Sequence, residues 1–144
     1  MTVFFDTNVL LDMLDDTREC HEMALTLLSA AKKGVFQAHA TTQSFIDAAY
    51  VQTQQRKLPV DIFRASVSLL AGILSVESIT AEDLTKANKS TNPDYEDAAQ
   101  VACAERIHSD YIITRDGKYN GYTQIPSFSP ADFYAKLFRQ KKRI

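Results

Sequence analysis

Val3-Phe4-Phe5-Asp6-Thr7-Asn8-Val9-Leu10 is the stretch of sequence from which the fold is predicted. An aromatic and β-branched run that ends abruptly at a carboxylate is typical of a buried strand with an acid at its C-terminal tip. In an open parallel α/β sheet, ligands bind in the crevice at the C-terminal ends of the strands. The position of Asp6 therefore indicates a functional site, although Asp6 or Thr7 would also suit a simple cap for the helix that starts near Val9.

Strand-like and helix-like segments alternate along the rest of the chain. Short apolar runs predict further strands at Val35–Ala38, Ile73–Val76, Tyr111–Thr114 and Ser127–Phe128, with helical apolar spacing between them. This order predicts an α/β sandwich in which a mostly parallel sheet of four to five strands is flanked by helices. The length predicts a single domain over residues 1–144.

Two helices show clear local signals. The helix that follows Thr42 has apolar residues at Phe45, Ile46, Ala49 and Tyr50, which predicts that these side chains form its core face. Thr80 and Asp83 have the spacing of a capping box, which predicts a short helix through Ala87.

The composition is that of an ordinary globular protein. The chain has 144 residues, 45% hydrophobic and 24% charged, which excludes a disordered chain and suffices for a sizeable core. The net charge of −2 argues against a protein that coats duplex nucleic acid, but not against a nuclease with a local acidic site. Cys20 and Cys103 are far apart and are predicted to be reduced thiols. Without a transmembrane-length apolar run or a signal peptide, the chain is predicted to be cytoplasmic and not membrane-bound.

Acidic side chains follow two strands and stand near the start of two helices. Asp6 and Asp116 each end a predicted strand, and parallel strands would bring them to the same edge of the sheet. Asp47 and Asp97 lie in or near the first turns of helices that start at that edge. Crowded carboxylates resist ionising together unless a hard cation neutralises them, and Mg²⁺ or Mn²⁺ prefers such oxygen ligands. The pattern therefore predicts a metal site suited to phosphodiester chemistry.

Neutral and basic side chains accompany these acids. Thr7, Asn8 and Thr114 are placed to orient a carboxylate or a water molecule. Arg115 and the basic C-terminal tail suit either a contact with a substrate phosphate or a solvated surface. Several other acids have structural interpretations: a helix cap at Asp94, an exposed charge at Glu96, and a solvated helix end at Asp12, Asp15 and Asp16. Whether Asp47 or Asp94 completes the site stays open on the sequence.

Three motifs, in order, give the chain a resemblance to PIN-domain ribonucleases, and within them to VapC-type toxins of bacterial toxin–antitoxin pairs. The motifs are Phe4 to Asp12, Asp94 to Gln100 and Tyr111 to Asp116. The resemblance implies a PIN-like three-layer sandwich and a Mg²⁺ or Mn²⁺ site whose acids are Asp6, Asp97 and Asp116. The family's other acid, usually Glu, would fall on Asp47, which is one methylene shorter.

The resemblance also implies a function and partners. It implies a metal-dependent endoribonuclease with an RNA substrate, a cognate antitoxin and a homodimeric state. Two alternatives remain. One is a non-catalytic, acid-lined PIN-like binding module. The other is a phosphatase of the haloacid-dehalogenase type, which Asn8 disfavours because that chemistry needs a second Asp at this position.

Overall fold

A computed structural model describes the backbone of residues 1–115, 117 and 119–142, and the side chains of these residues through 139. Its described strands form one five-stranded sheet in the order β3-β2-β1-β4-β5. The strands are β1 (Thr2–Phe5), β2 (Gln37–Thr41), β3 (Ser75–Glu77), β4 (Tyr111–Ile113) and β5 (Ser127–Phe128). The helices are α1 (Thr7–Leu14), α2 (His21–Lys32), α3 (Thr42–Ala49), a π-helix (Tyr50–Gln55), α4 (Val60–Ala71), α5 (Ala81–Lys89), α6 (Tyr95–Arg106) and α7 (Pro130–Lys142).

Every described strand pair is parallel, which confirms the predicted α/β sandwich. Phe4 of β1 is in register with His39 of β2 on one side and with Ile112 of β4 on the other. The backbone N–H of Asp6 extends this pairing by donating to the carbonyl of Ile113 at 3.0 Å. The C-terminal ends of β1, β2 and β4 therefore lie side by side, and the residues that follow them share one edge of the sheet.

Alternation along β1 divides the core into two layers. Val3 and Phe5 pack with buried residues of α1, α2 and α3, and with Phe133 of α7. Phe4 points to the opposite face, where it packs with Ile112 and with residues of α6. A central strand that is apolar on both faces is expected when helices cover both sides of a parallel sheet. The three-layer arrangement predicted from the family resemblance is thus confirmed.

Some predicted boundaries and faces are wrong. β2 starts at Gln37 and not at Val35, because Gly34 adopts a positive φ of 81° and Val35 still bonds back to the carbonyl of Ala30. The predicted strand at Ile73–Val76 is β3, which starts two residues later and ends one residue later. Sheet register, which depends on the neighbouring strand, sets both positions.

The core face of α3 is also narrower than predicted. Phe45 is buried, whereas Ile46 and Tyr50 are 66% and 60% exposed. Ile46 follows Phe45 directly on α3 and therefore points in a different direction from it. Tyr50 begins the π-helix, whose wider turn changes the direction of the side chains from there on. Two other predictions are confirmed: Thr80 and Asp83 form a capping box, and both cysteines are free. No helix among the described residues is long and apolar enough to cross a bilayer.

Candidate active site

Asp6 is a buried carboxylate fixed through both of its oxygens. Its side chain is 1% exposed at the N-terminus of α1. The hydroxyl of Thr114, directly after β4, donates to Oδ2 at 3.0 Å, and the hydroxyl of Tyr119 donates to Oδ1 at 3.0 Å. The Thr114 side chain therefore lies beside Asp6 at the C-terminal edge of the sheet. Carboxylate oxygens are also the donors that a hard divalent cation prefers.

Tyr119 is a site residue that the sequence analysis missed. It is completely buried between α6 and the sheet. Burial raises the pKa of its hydroxyl, and the negative charges of Asp6, Asp97 and Glu96 raise it further. The hydroxyl therefore stays protonated and serves as a donor in an acidic environment. The sequence offered no signal for this role, because an aromatic residue after a turn is usually a core residue.

Asp47 and Glu96 form a close pair of carboxyl groups. Asp47 lies in the second turn of α3, one turn later than predicted, where its Oδ1 accepts a hydrogen bond from Gln43 Nε2 at 2.8 Å. Its Oδ2 is buried and, with both acids ionised, has no donor among the described residues. A hydrogen bond with Asp47 raises the pKa of Glu96 to about 7, assisted by burial and by the charges of Asp47, Asp94 and Asp97. A proton shared by two acids occupies the position that a cation could take.

Glu96 is exposed, as predicted, but it is not an isolated charge. Its carboxylate faces Asp47, and the Thr7 hydroxyl approaches its Oε1 at 3.5 Å. The sequence contained a hint, since Glu96 stands beside Asp97 at the start of a helix that follows a turn. Only the position of α3 shows that Glu96 has an acidic neighbour.

Asp94 and Asp97 have different roles at the start of α6. Asp94 is the N-cap, and its Oδ1 accepts a hydrogen bond from the backbone N–H of Asp97 at 3.0 Å. This is the capping interpretation given above for Asp94. Asp97 is 7% exposed and near enough to Tyr119 and Glu96 for its charge to raise the pKa of both groups.

A buried network of neutral side chains connects the segments that carry these acids. Gln100 of α6 donates from Nε2 to Ser44 Oγ at 3.0 Å, and its Oε1 accepts from Thr41 Oγ1 at 3.2 Å. Thr7 Oγ1 lies 2.7 Å from Ser44 Oγ. Thr41, Ser44 and Gln100 are each no more than 1% exposed. The network fixes the N-terminal turns of α1, α3 and α6 relative to one another.

Four of the acids, Asp47, Asp94, Glu96 and Asp97, line an open cleft, whereas Asp6 is not among its lining residues. The cleft has a volume of about 360 Å³. Its walls are formed by Thr7, Asn8, Asp47, Tyr50, Val51, Asp94, Glu96 and Asp97. Thr7 and Asn8, the first residues of α1, are thus on the cleft wall. Asp116, the remaining predicted acid, lies outside the described residues.

The donor set suits a hard divalent cation. The side chains are carboxylates and hydroxyls, the oxygen donors that Mg²⁺ and Mn²⁺ prefer, and the buried Asp47 Oδ2 is without a donor among the described residues when the acids are ionised. In the part of the chain that the structure describes, no three His, Cys, Asp or Glu side chains stand close enough together to enclose one ion. The fit therefore rests on the Asp47–Glu96 pair and on the chemistry of the donors.

The predicted solvated helix end at Asp12, Asp15 and Asp16 is correct only for Asp16. Asp12 is completely buried and Asp15 is 5% exposed. Arginines make this burial possible, since Arg18 pairs with Asp12 and Arg56 pairs with Asp15. Buried carboxylates are stable only when paired and hydrogen-bonded, and the sequence did not show that these partners would be near.

Comparison with known proteins agrees with this geometry. The sequence profile described as PIN domain matches residues 2–118. The chain belongs to the PIN domain family. A comparison with curated protein sequences finds no match.

Solved structures share the fold of this PIN domain at low sequence identity. The VapC20 toxin of Mycobacterium tuberculosis, described as cleaving the sarcin–ricin loop, has a TM-score of 0.67 and 14% identity, over 86% of this chain and 98% of the toxin chain. A chain of VapBC2 from Rickettsia felis, solved with a DNA fragment of its promoter, has a TM-score of 0.67 and 11% identity, over 90% and 98% of the two chains. At these identities the likeness shows that the fold is shared.

Proposed function

We propose that this PIN domain is a metal-dependent endoribonuclease acting on single-stranded RNA. The observation that carries the proposal is a set of carboxylates gathered from β1, α3 and α6 at one edge of a parallel sheet. These are the side chains of Asp6, Asp47, Glu96 and Asp97. Membership of the PIN domain family and the fold shared with VapC toxins support the same activity.

The acids would hold Mg²⁺ or Mn²⁺. The ligands we propose are Asp6 and Asp97, completed by Asp116 as the family resemblance implies, with the Asp47–Glu96 pair adjoining them. When bound, the ion would supply positive charge to the phosphodiester and lower the pKa of a water molecule. Hydrolysis then breaks the bond between phosphorus and the 3′ oxygen, which leaves a 5′ phosphate and a 3′ hydroxyl.

The chain's own residues prepare the site for this reaction. Thr114 and Tyr119 hold the Asp6 carboxylate in one orientation, so that it does not have to be ordered when substrate binds. The Asp47–Glu96 pair can retain a proton near neutral pH, and can therefore exchange that proton with a water molecule in the cleft. Thr7 and Asn8, on the cleft wall, offer hydrogen-bond donors to a phosphate oxygen.

The protein would be the toxin of a toxin–antitoxin pair, controlled by a cognate antitoxin and active as a homodimer. Exposed apolar side chains on three consecutive segments, α3, the π-helix and α4, support a protein partner. Ile46, Tyr50 and Ile62 are 66%, 60% and 53% exposed, and Leu69 is 73% exposed. Tyr50 also lines the acidic cleft, so a partner bound to this surface would restrict access to it.

Cleavage of a short labelled single-stranded RNA tests the activity. We expect cleavage with Mn²⁺ or Mg²⁺ and none with excess chelator. Asp6→Asn and Asp47→Asn should each lower the single-turnover rate by about a hundredfold, as expected for groups at a metal site. Asp94→Asn is the matched control, because asparagine is also a good N-cap and the rate should change little. Wild-type protein that binds RNA but does not cleave it with either metal would favour the non-catalytic binding module.

A further inference from the structure

A second charged cluster is centred on Asp12, which lies on α1, the helix whose first residues Thr7 and Asn8 line the acidic cleft. Asp12 is completely buried near the C-terminal end of α1. Arg18 Nε donates to its Oδ1 at 2.7 Å, and Arg115 Nη1 lies 3.7 Å from the same oxygen. Two arginines therefore share one carboxylate, which leaves the cluster with one net positive charge.

The guanidinium groups keep donors available. Arg18 is attached to Asp12 through Nε, and neither of its terminal nitrogens has a hydrogen-bond partner among the described residues. The side chains of Arg18 and Arg115 are 22% and 33% exposed, so both groups reach solvent although Asp12 does not. A guanidinium anchored at one edge can still present its remaining N–H groups to two oxygens of a phosphate.

The cluster is linked to the proposed active site through the backbone. Arg115 directly follows Thr114, whose hydroxyl holds the Asp6 carboxylate. Asp12 belongs to α1, the helix that starts next to Asp6. The cluster is therefore carried by the same two segments that carry and orient Asp6.

We propose that Arg18 and Arg115, held side by side by Asp12, form a phosphate-binding subsite for a nucleotide of single-stranded RNA next to the cleaved bond. This inference rests on the proposed function and adds Arg18 and Asp12, which the acidic site does not include. The simpler interpretation is a structural ion pair that connects α1, the α1–α2 turn and the end of β4. The two interpretations predict different RNA affinities for a variant in which the Asp12–Arg18 ion pair is removed without a change in net charge.

Binding is measured by fluorescence anisotropy of a labelled RNA with Ca²⁺ in place of Mg²⁺, over a range of salt concentrations, and the RNA is checked to be intact afterwards. Arg115→Gln leaves Arg18 on Asp12, so this variant should fold. We expect it to weaken binding about fourfold at physiological salt and to reduce the slope of log Kd against log salt by about 0.7, the value for one phosphate contact on a single strand.

The double variant Asp12→Asn with Arg18→Gln has the same net charge as the wild type and leaves no buried unpaired carboxylate. We expect the same loss of affinity and of salt slope as for Arg115→Gln. Arg64→Gln is the control, because Arg64 lies on α4, 72% exposed, and pairs only with Asp61 among the described residues. Its binding curve should match that of the wild type.

If Arg115→Gln and the double variant both bind RNA with the wild-type affinity and salt slope, the subsite is overturned. The contacts of Arg18 and Arg115 with Asp12 are then structural ion pairs. Absence of RNA binding by the wild type would overturn it as well. The outcome for the proposed function is read separately, by cleavage of the same RNA with Mn²⁺. If the wild type cleaves the RNA and the variants bind it as tightly as the wild type does, only the subsite is rejected. Altered binding without any cleavage supports the subsite and rejects the nuclease.

Discussion

The hydroxyl of Tyr119 donates a hydrogen bond to Oδ1 of Asp6 at 3.0 Å, across 113 residues of sequence. The bond joins the acid at the end of the central strand to a completely buried ring that packs against α6. Since Thr114 holds the other oxygen of Asp6, the carboxylate is fixed before any cation or substrate arrives. Groups that orient a ligand in this way commonly matter about as much as the ligand itself.

Tyr119→Phe tests this relationship with the loss of one oxygen atom. We expect the fold to persist, with a stability cost of about 1 kcal/mol for one hydrogen bond. The cleavage rate should fall by about 10–100-fold, because Asp6 loses an orienting donor. Single-turnover cleavage and thermal unfolding measure the two effects. Tyr122→Phe is the matched control, since Tyr122 is 38% exposed, and equal rates in the two variants would rule out a positioning role for Tyr119.

Gln100→Leu tests the buried network beneath the cleft. The substitution keeps approximately the same size but removes the amide that bonds to Thr41 and Ser44. We expect a loss of about 1–3 kcal/mol in the free energy of unfolding, from buried hydroxyls left with fewer partners. Mn²⁺ affinity measured by calorimetry should fall as well, because the network fixes the helices that carry the acids. Gln124→Leu is the control, because Gln124 is exposed, and this substitution should change neither quantity. If Gln100→Leu leaves the Mn²⁺ affinity unchanged, the network stabilises the fold but does not contribute to metal binding.

The raised pKa of Glu96 predicts how the metal-free protein responds to pH. The folded state holds this proton up to a pH of about 7, whereas the unfolded chain releases it near the ordinary glutamate pKa of about 4.3. The stabilising contribution is therefore complete below about pH 4.3 and is lost as the pH rises through about 7. In the presence of chelator, the melting temperature of the wild type should fall between pH 5 and 8 relative to that of Glu96→Gln. Parallel melting curves for the two proteins would show that Glu96 has an ordinary pKa.

The lowered pKa of Asp83 has the opposite consequence: it predicts that the free energy of unfolding falls as the solution becomes acidic. Burial raises the pKa of this carboxyl, but hydrogen bonds from Arg106 and from the backbone of Thr80, with the charge of Arg106, lower it by more. A lowered pKa gives stability that is present above the unfolded value of about 3.9 and is lost as the pH falls through the folded value. Asp83→Asn should cost about 2 kcal/mol at pH 7, the range for hydrogen bonds to charged groups. Denaturant unfolding should show a larger difference in stability between Asp83→Asn and the wild type at pH 7 than at pH 3.

The sequence by itself determined the central part of this protein. The run that ends at Asp6 and the run at Tyr111 are β1 and β4, paired in parallel as their apolar character on both faces requires. Thr80 with Asp83 and the cap at Asp94 are local signals, and the structure contains both. Such features depend on residues within a few positions of each other, so periodicity and spacing are sufficient to find them.

Only the tertiary structure decided which side chains meet. Tyr119 reaches Asp6 across 113 positions, and Gln100 reaches Ser44 across 56. Nothing in the local pattern distinguishes these two from a core aromatic residue and an exposed amide. Asp12 likewise became a buried carboxylate because the fold brings arginines to it. A buried polar group must find its partners in three dimensions, and those partners are set by helix placement and sheet register, which a single sequence does not display.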